Sequence, residues 1–269
     1  MRFKKRRHVR ERRKRMDDWE KKMESDPLYQ LQNALLGTDY HRILECALAC
    51  EQADPLEPLE GERLELVLEG YQRCIDEGMS AAMLNLGAMY YVGRGVDQDF
   101  AQAVRYYTMA AELGNTIAMC NLGYCHYYGR SIPVDYERAY QCFAQSALLS
   151  NNFIALYKLG DMYQTGRYVT KNVDTAFSLY IRSMNARAET EDNDLSIADV
   201  YQRLGNCLLH GTGVEPNEME ALKCFQMSEY YFLEKIQAGD IFAESSLRKV
   251  REALEECRNK IHEKLHIEL

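Results

Sequence analysis

LGAMYYVGRGVDQDFAQAVRYYTMAAELG, residues 86–114, decides the fold, because its landmarks return three more times. Its Leu86-Gly87 pair is matched by Leu122-Gly123, Leu159-Gly160 and Leu204-Gly205, whose glycines lie 36, 37 and 45 residues apart. Periods in this range mark stacked repeat proteins. Six residues beyond each glycine stands another: Gly93, Gly129, Gly166 and Gly211. Glycine occupies only 16 of 269 positions, so four such coincidences have odds on the order of one in 10⁵. Twelve residues on come Asp99, Asp135, Asn172 and Asn217; sixteen on, Ala103, Ala139, Ala176 and Ala221; twenty on, Tyr107, Phe143, Tyr180 and Phe225.

Each column has a physical reading. The Leu-Gly pair falls within a helix, A, where glycine costs about 1 kcal/mol relative to alanine, so close approach of a second helix must require it. The next glycine ends helix A in a left-handed conformation. An apolar residue then plugs the turn (Val96, Ile132, Val169, Val214), and the Asp or Asn caps a second helix, B. The alanine of helix B permits a close crossing, and the aromatic one turn later fills the space beside it. In the first copy A is expected near 81–92 and B near 99–113.

These residues resemble the Sel-one-like repeat family, α/α-hairpin relatives of the tetratricopeptide repeat. Residues 86–114 match its pattern almost throughout, including the GxGV turn. In later copies Ser131 and Tyr168 replace the second turn glycine, which Gly213 restores. The resemblance spans roughly 62–239 and implies an all-α, right-handed α/α superhelical solenoid of about four repeats.

The flanks read as caps. Residues 62–78 repeat the end of a helix B, with Tyr71 and Gly78 spaced like Tyr107 and Gly114. Asp26-Pro27 and Thr38-Asp39 mark two shorter helices, and Asp54–Pro58 a linker. After Gly239, Ala243 and Leu247 keep the repeat register, but Arg248 stands where the packing glycine belongs. Leu247, Val250, Leu254, Cys257 and Ile261 form an apolar stripe on a charged helix. That stripe is expected to cover the last repeat, with homodimerisation as its alternative use. The expected division is therefore a basic arm (1–24), N-terminal helices and linker (25–61), the solenoid (62–239) and a C-terminal amphipathic cap (240–269). A wider spacing before the fourth copy holds the acidic stretch Ala188–Asp194, read as a surface loop.

Composition bounds the function classes. With 46% hydrophobic and 28% charged residues and only 5 prolines, the chain is neither disordered nor collagen-like. No apolar run approaches a membrane span, and no apolar segment follows the basic N-terminus as in a signal peptide. Residues 1–15 carry a net charge of +9 within a chain of −8, leaving −17 for the remainder. That arm reads either as a tether to nucleic acid or an anionic membrane surface, or as a plain solvated tail, with Met16 as an alternative start. Nine cysteines without a CxxC pair suit a reducing compartment, and a cytoplasmic location is expected. A cysteine-rich secreted branch of the resembled family pairs cysteines within a repeat and binds β-lactams. Its pairs lie much closer in sequence than Cys125/Cys142 and Cys207/Cys224, which occupy apolar columns and read as buried thiols. His262 and His266 share a helix face without convergent partners, so no metal is assigned. Phosphate-binding, nucleophile-elbow and zinc-protease motifs are absent. No cofactor and no enzymatic activity are expected.

A groove remains. Two residues before each repeat glycine lie Asn85, Asn121, Lys158 and Arg203. The resemblance places these at positions where clamp-type tetratricopeptide proteins hold a peptide. Amides grip an extended backbone, and Lys158 with Arg203 suits a carboxylate. Tyr124 and Asn206 share that face, and Tyr91, Tyr127 and Tyr128, one turn along, offer flat contact area. The expected function is a non-enzymatic scaffold that binds a peptide segment of another protein there. A nucleic-acid- or membrane-associated adaptor using the arm, and a β-lactam-binding protein, are the alternatives.

Overall fold

A computed structural model of the chain describes residues 24–53, 58–189, 194–240 and 243–267. The basic arm with Met16, residues 54–57 of the linker and 190–193 of the acidic insertion lie outside the described residues. Among those described there are twelve helices and no strand. Contacts divide the chain into two compact units, one ending at Leu113 and one starting at Gly114. The division falls between the first and second full repeats.

The first unit holds α1 (Pro27–Leu35), α2 (Tyr40–Gln52), α3 (Gly61–Asp76), α4 (Ser80–Val92) and α5 (Phe100–Glu112). Asp26 and Asp39 cap α1 and α2 as expected, each accepting from a first-turn N–H. The orphan helix B is real: α3 buries Tyr71 completely and brings Gly70 against Ala47, Leu31 and Ile43. Arg63 closes the end of α2 by donating to the carbonyls of Cys50 and Glu51.

The second unit holds three further hairpins and the cap: α6 (Thr116–Tyr128), α7 (Tyr136–Ser150), α8 (Phe153–Thr165), α9 (Val173–Ala188), α10 (Ile197–His210), α11 (Glu218–Gln237) and α12 (Ala243–Ile267). The sequence columns become one device repeated four times. A methyl group added at Gly87, Gly123, Gly160 or Gly205 would lie 2.9, 2.7, 2.5 or 2.7 Å from the ring of Tyr107, Phe143, Tyr180 or Phe225. The mid-helix glycine is thus the seat of the helix B aromatic, and its propensity cost is the condition for the ring's burial. The alanines beside those rings are fully buried.

The turns are equally regular. Gly93, Gly129, Gly166 and Gly211 end their helices with left-handed backbone. Asp99, Asp135, Asn172 and Asn217 cap the B helices. Each cap also donates its own N–H to a late carbonyl of helix A, on Tyr90, His126, Tyr163 or Leu208, at 2.8–3.0 Å. Ser131 and Tyr168 keep the positive φ of the glycines they replace, 57° and 64°. For Tyr168 the ring of Tyr140 at 5.5 Å offers compensation. Ser131→Gly removes a left-handed cost of about 1–2 kcal/mol while adding about 0.5–1 kcal/mol of unfolded-state entropy. Urea denaturation should therefore find that variant more stable by about 0.5 kcal/mol.

A further column went unnoticed in the sequence. Ser146, Ser183 and Ser228 are completely buried and donate to the first-turn carbonyls of Thr116, Phe153 and Ala198, at 2.6–2.8 Å. Each hydroxyl is a second donor to a carbonyl of the helix ladder, which satisfies the buried serine and ties helix B to helix A within one hairpin.

The C-terminal stripe closes the array. Leu247, Val250, Leu254 and Cys257 are buried with Leu209, Ala221, Phe225 and Phe232, and Ile261 packs at the edge. The face considered for homodimerisation is therefore covered by the last repeat, whose two extra helical turns supply Phe232.

Candidate functional site

The candidate site lies in the second unit, on helix A faces. Helix α8 carries only two charged residues, Lys158 and Asp161. Their i,i+3 spacing puts them on one face. Lys158 is only 4% exposed. Its ammonium sits among four tyrosine rings, with centroids at 4.7 Å (Tyr124), 5.1 Å (Tyr157), 5.2 Å (Tyr128) and 5.7 Å (Tyr127). It donates to the Tyr128 hydroxyl at 2.9 Å and lies 3.8 Å from Asp161 Oδ2. The negative ring faces and one carboxylate replace its water shell.

Arg203 of α10 completes the arrangement. Its guanidinium forks onto Asp161, Nε to Oδ1 at 2.5 Å and Nη2 to Oδ2 at 2.7 Å. It also stacks on the Tyr157 ring at 4.9 Å and donates to the Asp199 carbonyl at 2.8 Å. The Tyr180 hydroxyl donates to Asp161 Oδ1 at 3.0 Å. Lys235 of α11 pairs with Asp199 at 3.2 Å. Burial alone would raise the Asp161 pKa, but the Arg203 charge, its hydrogen bonds, Lys158 and the Tyr180 hydroxyl outweigh it and hold the carboxyl below its usual range. Burial drives Tyr124 and Tyr157 well above the usual phenol range, aided by each other's proximity at Tyr124 and by Asp199 at Tyr157. The 2.5 Å bond between their hydroxyls joins two neutral phenols.

A groove of about 510 Å³ opens beside this network. Three successive A helices line it: α6 through Tyr127 and Tyr128, α8 through Asp161 and Gln164, α10 through Gln202, Arg203 and Asn206. The α8–α9 turn adds Arg167, and α12 adds Lys249. Of the expected residues, Tyr127, Tyr128, Arg203 and Asn206 thus meet at one groove. Tyr128 is 48% exposed and Asn206 is exposed. Lys158 and Tyr124 stand behind them in the aromatic network, and Asn121 is half-buried on α6 away from the lining. Lys158 and Arg203, expected to meet a partner's carboxylate, meet the chain's own Asp161. Asn85 and Tyr91 belong to the first unit. There Asn85 hydrogen-bonds Tyr71, whose hydroxyl donates to Glu51 at 2.5 Å, and Tyr91 packs edge-on against Phe100.

Sequence reasoning missed Arg167. Its guanidinium lies over the Tyr127 and Tyr136 rings at 5.1 and 5.3 Å and donates to the Tyr127 hydroxyl. A signal existed: arginine stands seven residues beyond the repeat glycine in three copies, at Arg94, Arg130 and Arg167. Arg94 likewise reaches back to Glu51.

The four cysteines of the two repeat columns are free thiols held in their neutral form. Burial pushes the Cys125 thiol up to about 12 and Cys142, Cys207 and Cys224 up to about 11, which suppresses the nucleophilic thiolate. Among the described residues no group of three or more His, Cys, Asp or Glu side chains is placed to hold a metal ion, and no helix is long and apolar enough to cross a membrane.

A model of the Sel1 repeat matches residues 80–115, 116–151, 154–185 and 198–228, one match for each full hairpin. Among solved structures, a Sel1 repeat protein from Oxalobacter formigenes is 22% identical with a TM-score of 0.59, the alignment covering 80% of this chain and 88% of that one. A protective antigen of uropathogenic Escherichia coli displaying an SLR fold is 22% identical with a TM-score of 0.54, over 87% of this chain and 56% of that one. Both likenesses concern the fold. None of the curated proteins is significantly similar in sequence.

Proposed function

The chain belongs to the Sel1 repeat family, whose members generally serve as protein-interaction scaffolds, and from that premise we propose that its second unit grips a peptide segment of another protein in the groove between α6, α8 and α10. The observation that carries this reading is the convergence at one groove of Tyr127 and Tyr128 from one repeat with Arg203 and Asn206 from another, across the face of the repeat between them. Repeat arrays recognise extended ligands through such concerted columns. The lining suits a peptide: amides of Gln202 and Asn206 match backbone donors and acceptors, and the exposed Tyr128 ring gives contact area at low entropy cost. The Asp161 network acts as a preformed floor, holding Arg203 and the tyrosines in place before any ligand arrives, which lowers the ordering cost of binding. The role is that of a non-catalytic scaffold in the cytoplasm.

Selection of displayed random peptides against the folded chain tests this. Asn206→Trp fills the groove from an exposed position, so it should leave the circular dichroism unchanged and weaken the selected peptides at least 10-fold. Peptides that bind wild type and Asn206→Trp equally would place recognition elsewhere.

A further inference from the structure

The charges around the groove do not balance. The network behind it contains three cations, Lys158, Arg203 and Lys235, around two carboxylates, Asp161 and Asp199. Two more cations line the opening, Arg167 and Lys249. Among the described residues neither has a carboxylate within ion-pairing distance: Arg167 is engaged only with the Tyr127 hydroxyl and two aromatic faces. His210 also borders the groove, but Glu256, 3.9 Å from it, is held by Lys260 at 2.9 Å. A local positive excess is thus built into a chain of net charge −8.

A second observation lies in the same lining. The Gln164 side-chain oxygen is buried and lacks any hydrogen-bond donor. A buried acceptor left unmatched is costly, and a native structure normally supplies its partner. The groove therefore lacks an anion for Arg167 and Lys249, and Gln164, which lines it with its oxygen turned inward, lacks an N–H that it gains by rotating its amide toward the opening.

We propose that the occupant is a peptide segment carrying an Asp or Glu side chain, its carboxylate received by Arg167 and Lys249 and a backbone N–H by Gln164. A carboxylate suits the planar fork of arginine, and the peptide backbone brings the donor that a simple inorganic anion lacks. The acidic body limits the choice further. Its field repels a polyanion at long range, while the ion pairs in the groove act within a few ångströms, inside the screening length of about 8 Å at physiological salt. The fitting segment is one or two acidic residues in a neutral or basic context.

This inference rests on the peptide-groove reading, and its test separates the two. A selected peptide containing a single glutamate and its Glu→Gln counterpart are titrated by fluorescence polarisation against wild type and against Arg167→Gln/Lys249→Gln. Both substituted positions are exposed; Lys249→Gln alone serves as the milder variant if the pair impairs folding. The glutamate peptide should bind wild type at least 10-fold more tightly than the glutamine peptide, and less than 2-fold more tightly on the double variant. Millimolar inorganic phosphate should not displace it. Equal binding of both peptides, still blocked by Asn206→Trp, would overturn the acidic preference and leave the groove standing. Indifference to Asn206→Trp would remove both. Displacement by phosphate would overturn the peptide assignment in favour of a general anion site.

Discussion

Asp161→Asn should destabilise the second unit by about 3 kcal/mol at neutral pH, because it leaves Lys158 buried without its carboxylate. The side chain of Lys158 is 5% exposed and that of Asp161 15%, so water cannot replace the lost charge without opening the aromatic enclosure. Arg203 suffers less, since Asp199 remains within reach of its Nη1. Asparagine still accepts a hydrogen bond from it, which keeps the loss at the low end of the usual 3–5 kcal/mol for breaking a buried pair. Removing the orphaned charge should repair the damage: Lys158→Met combined with Asp161→Asn is expected to regain at least half of the loss. The cation–π attraction of four rings alone does not hold the ammonium, as the cost of dehydrating it exceeds what ring quadrupoles return.

The same residue sets a pH dependence. The folded Asp161 pKa lies below the unfolded one, so between them the unfolded chain binds more protons and stability rises with pH. The contribution is complete above pH about 4 and disappears as pH falls through the folded value. Urea denaturation of wild type and Asp161→Asn should therefore show a gap of about 3 kcal/mol at pH 7 that narrows below pH 4. A gap that persists unchanged to pH 2, or none at pH 7, would show that Asp161 is not the counter-charge of Lys158.

What the sequence discloses and what it hides follow from the range of the interactions. The Gly87–Tyr107 register, the Asp99 cap and the left-handed Gly93 are set by backbone geometry within one hairpin, so each repeat states them again and four copies make them legible. The buried serines lie 30 residues from their carbonyl partners, and the first copy has Ala110 in that column, so no complete pattern forms. The groove was half legible. Spacing alone brings Arg203, Asn206 and Tyr128 to helix A faces, but whether a cation on that face looks outward or inward depends on its neighbours in the next repeat. Lys158 turns inward because Tyr124 and Tyr128 of the preceding copy and Asp161 one turn along surround it. Arg167 does the reverse. It sits in a turn that the periodic reading assigned to chain reversal, yet it presents its charge to the opening. The isolation of Lys158 and Asp161 as the only charges of α8 was the available sign that they serve each other.

Gly213→Ala should be among the most damaging single-methyl changes in the chain, costing about 3 kcal/mol or more, and column reasoning alone gives no warning of it. The same turn position holds Ser131 and Tyr168 in two other copies, which shows that a side chain is compatible with the left-handed backbone itself. The surroundings differ. A methyl group on Gly213 would lie 2.2 Å from the carbonyl oxygen and 2.6 Å from the carbonyl carbon of Val173, at the start of α9. No rotamer change relieves a clash with backbone, so the α10–α11 turn must move off the preceding repeat, loosening the seat of Val214. Gly239→Ala provides the control within the same unit. Its φ is +90°, and nothing lies within 4 Å of the added methyl, so it bears only the left-handed cost of about 1–2 kcal/mol. Thermal unfolding followed by circular dichroism should place Gly213→Ala about 6–12 °C below wild type, and Gly239→Ala about half as far or less. Equal shifts would mean that backbone conformation alone accounts for the glycine, and that the close approach of Val173 yields without cost.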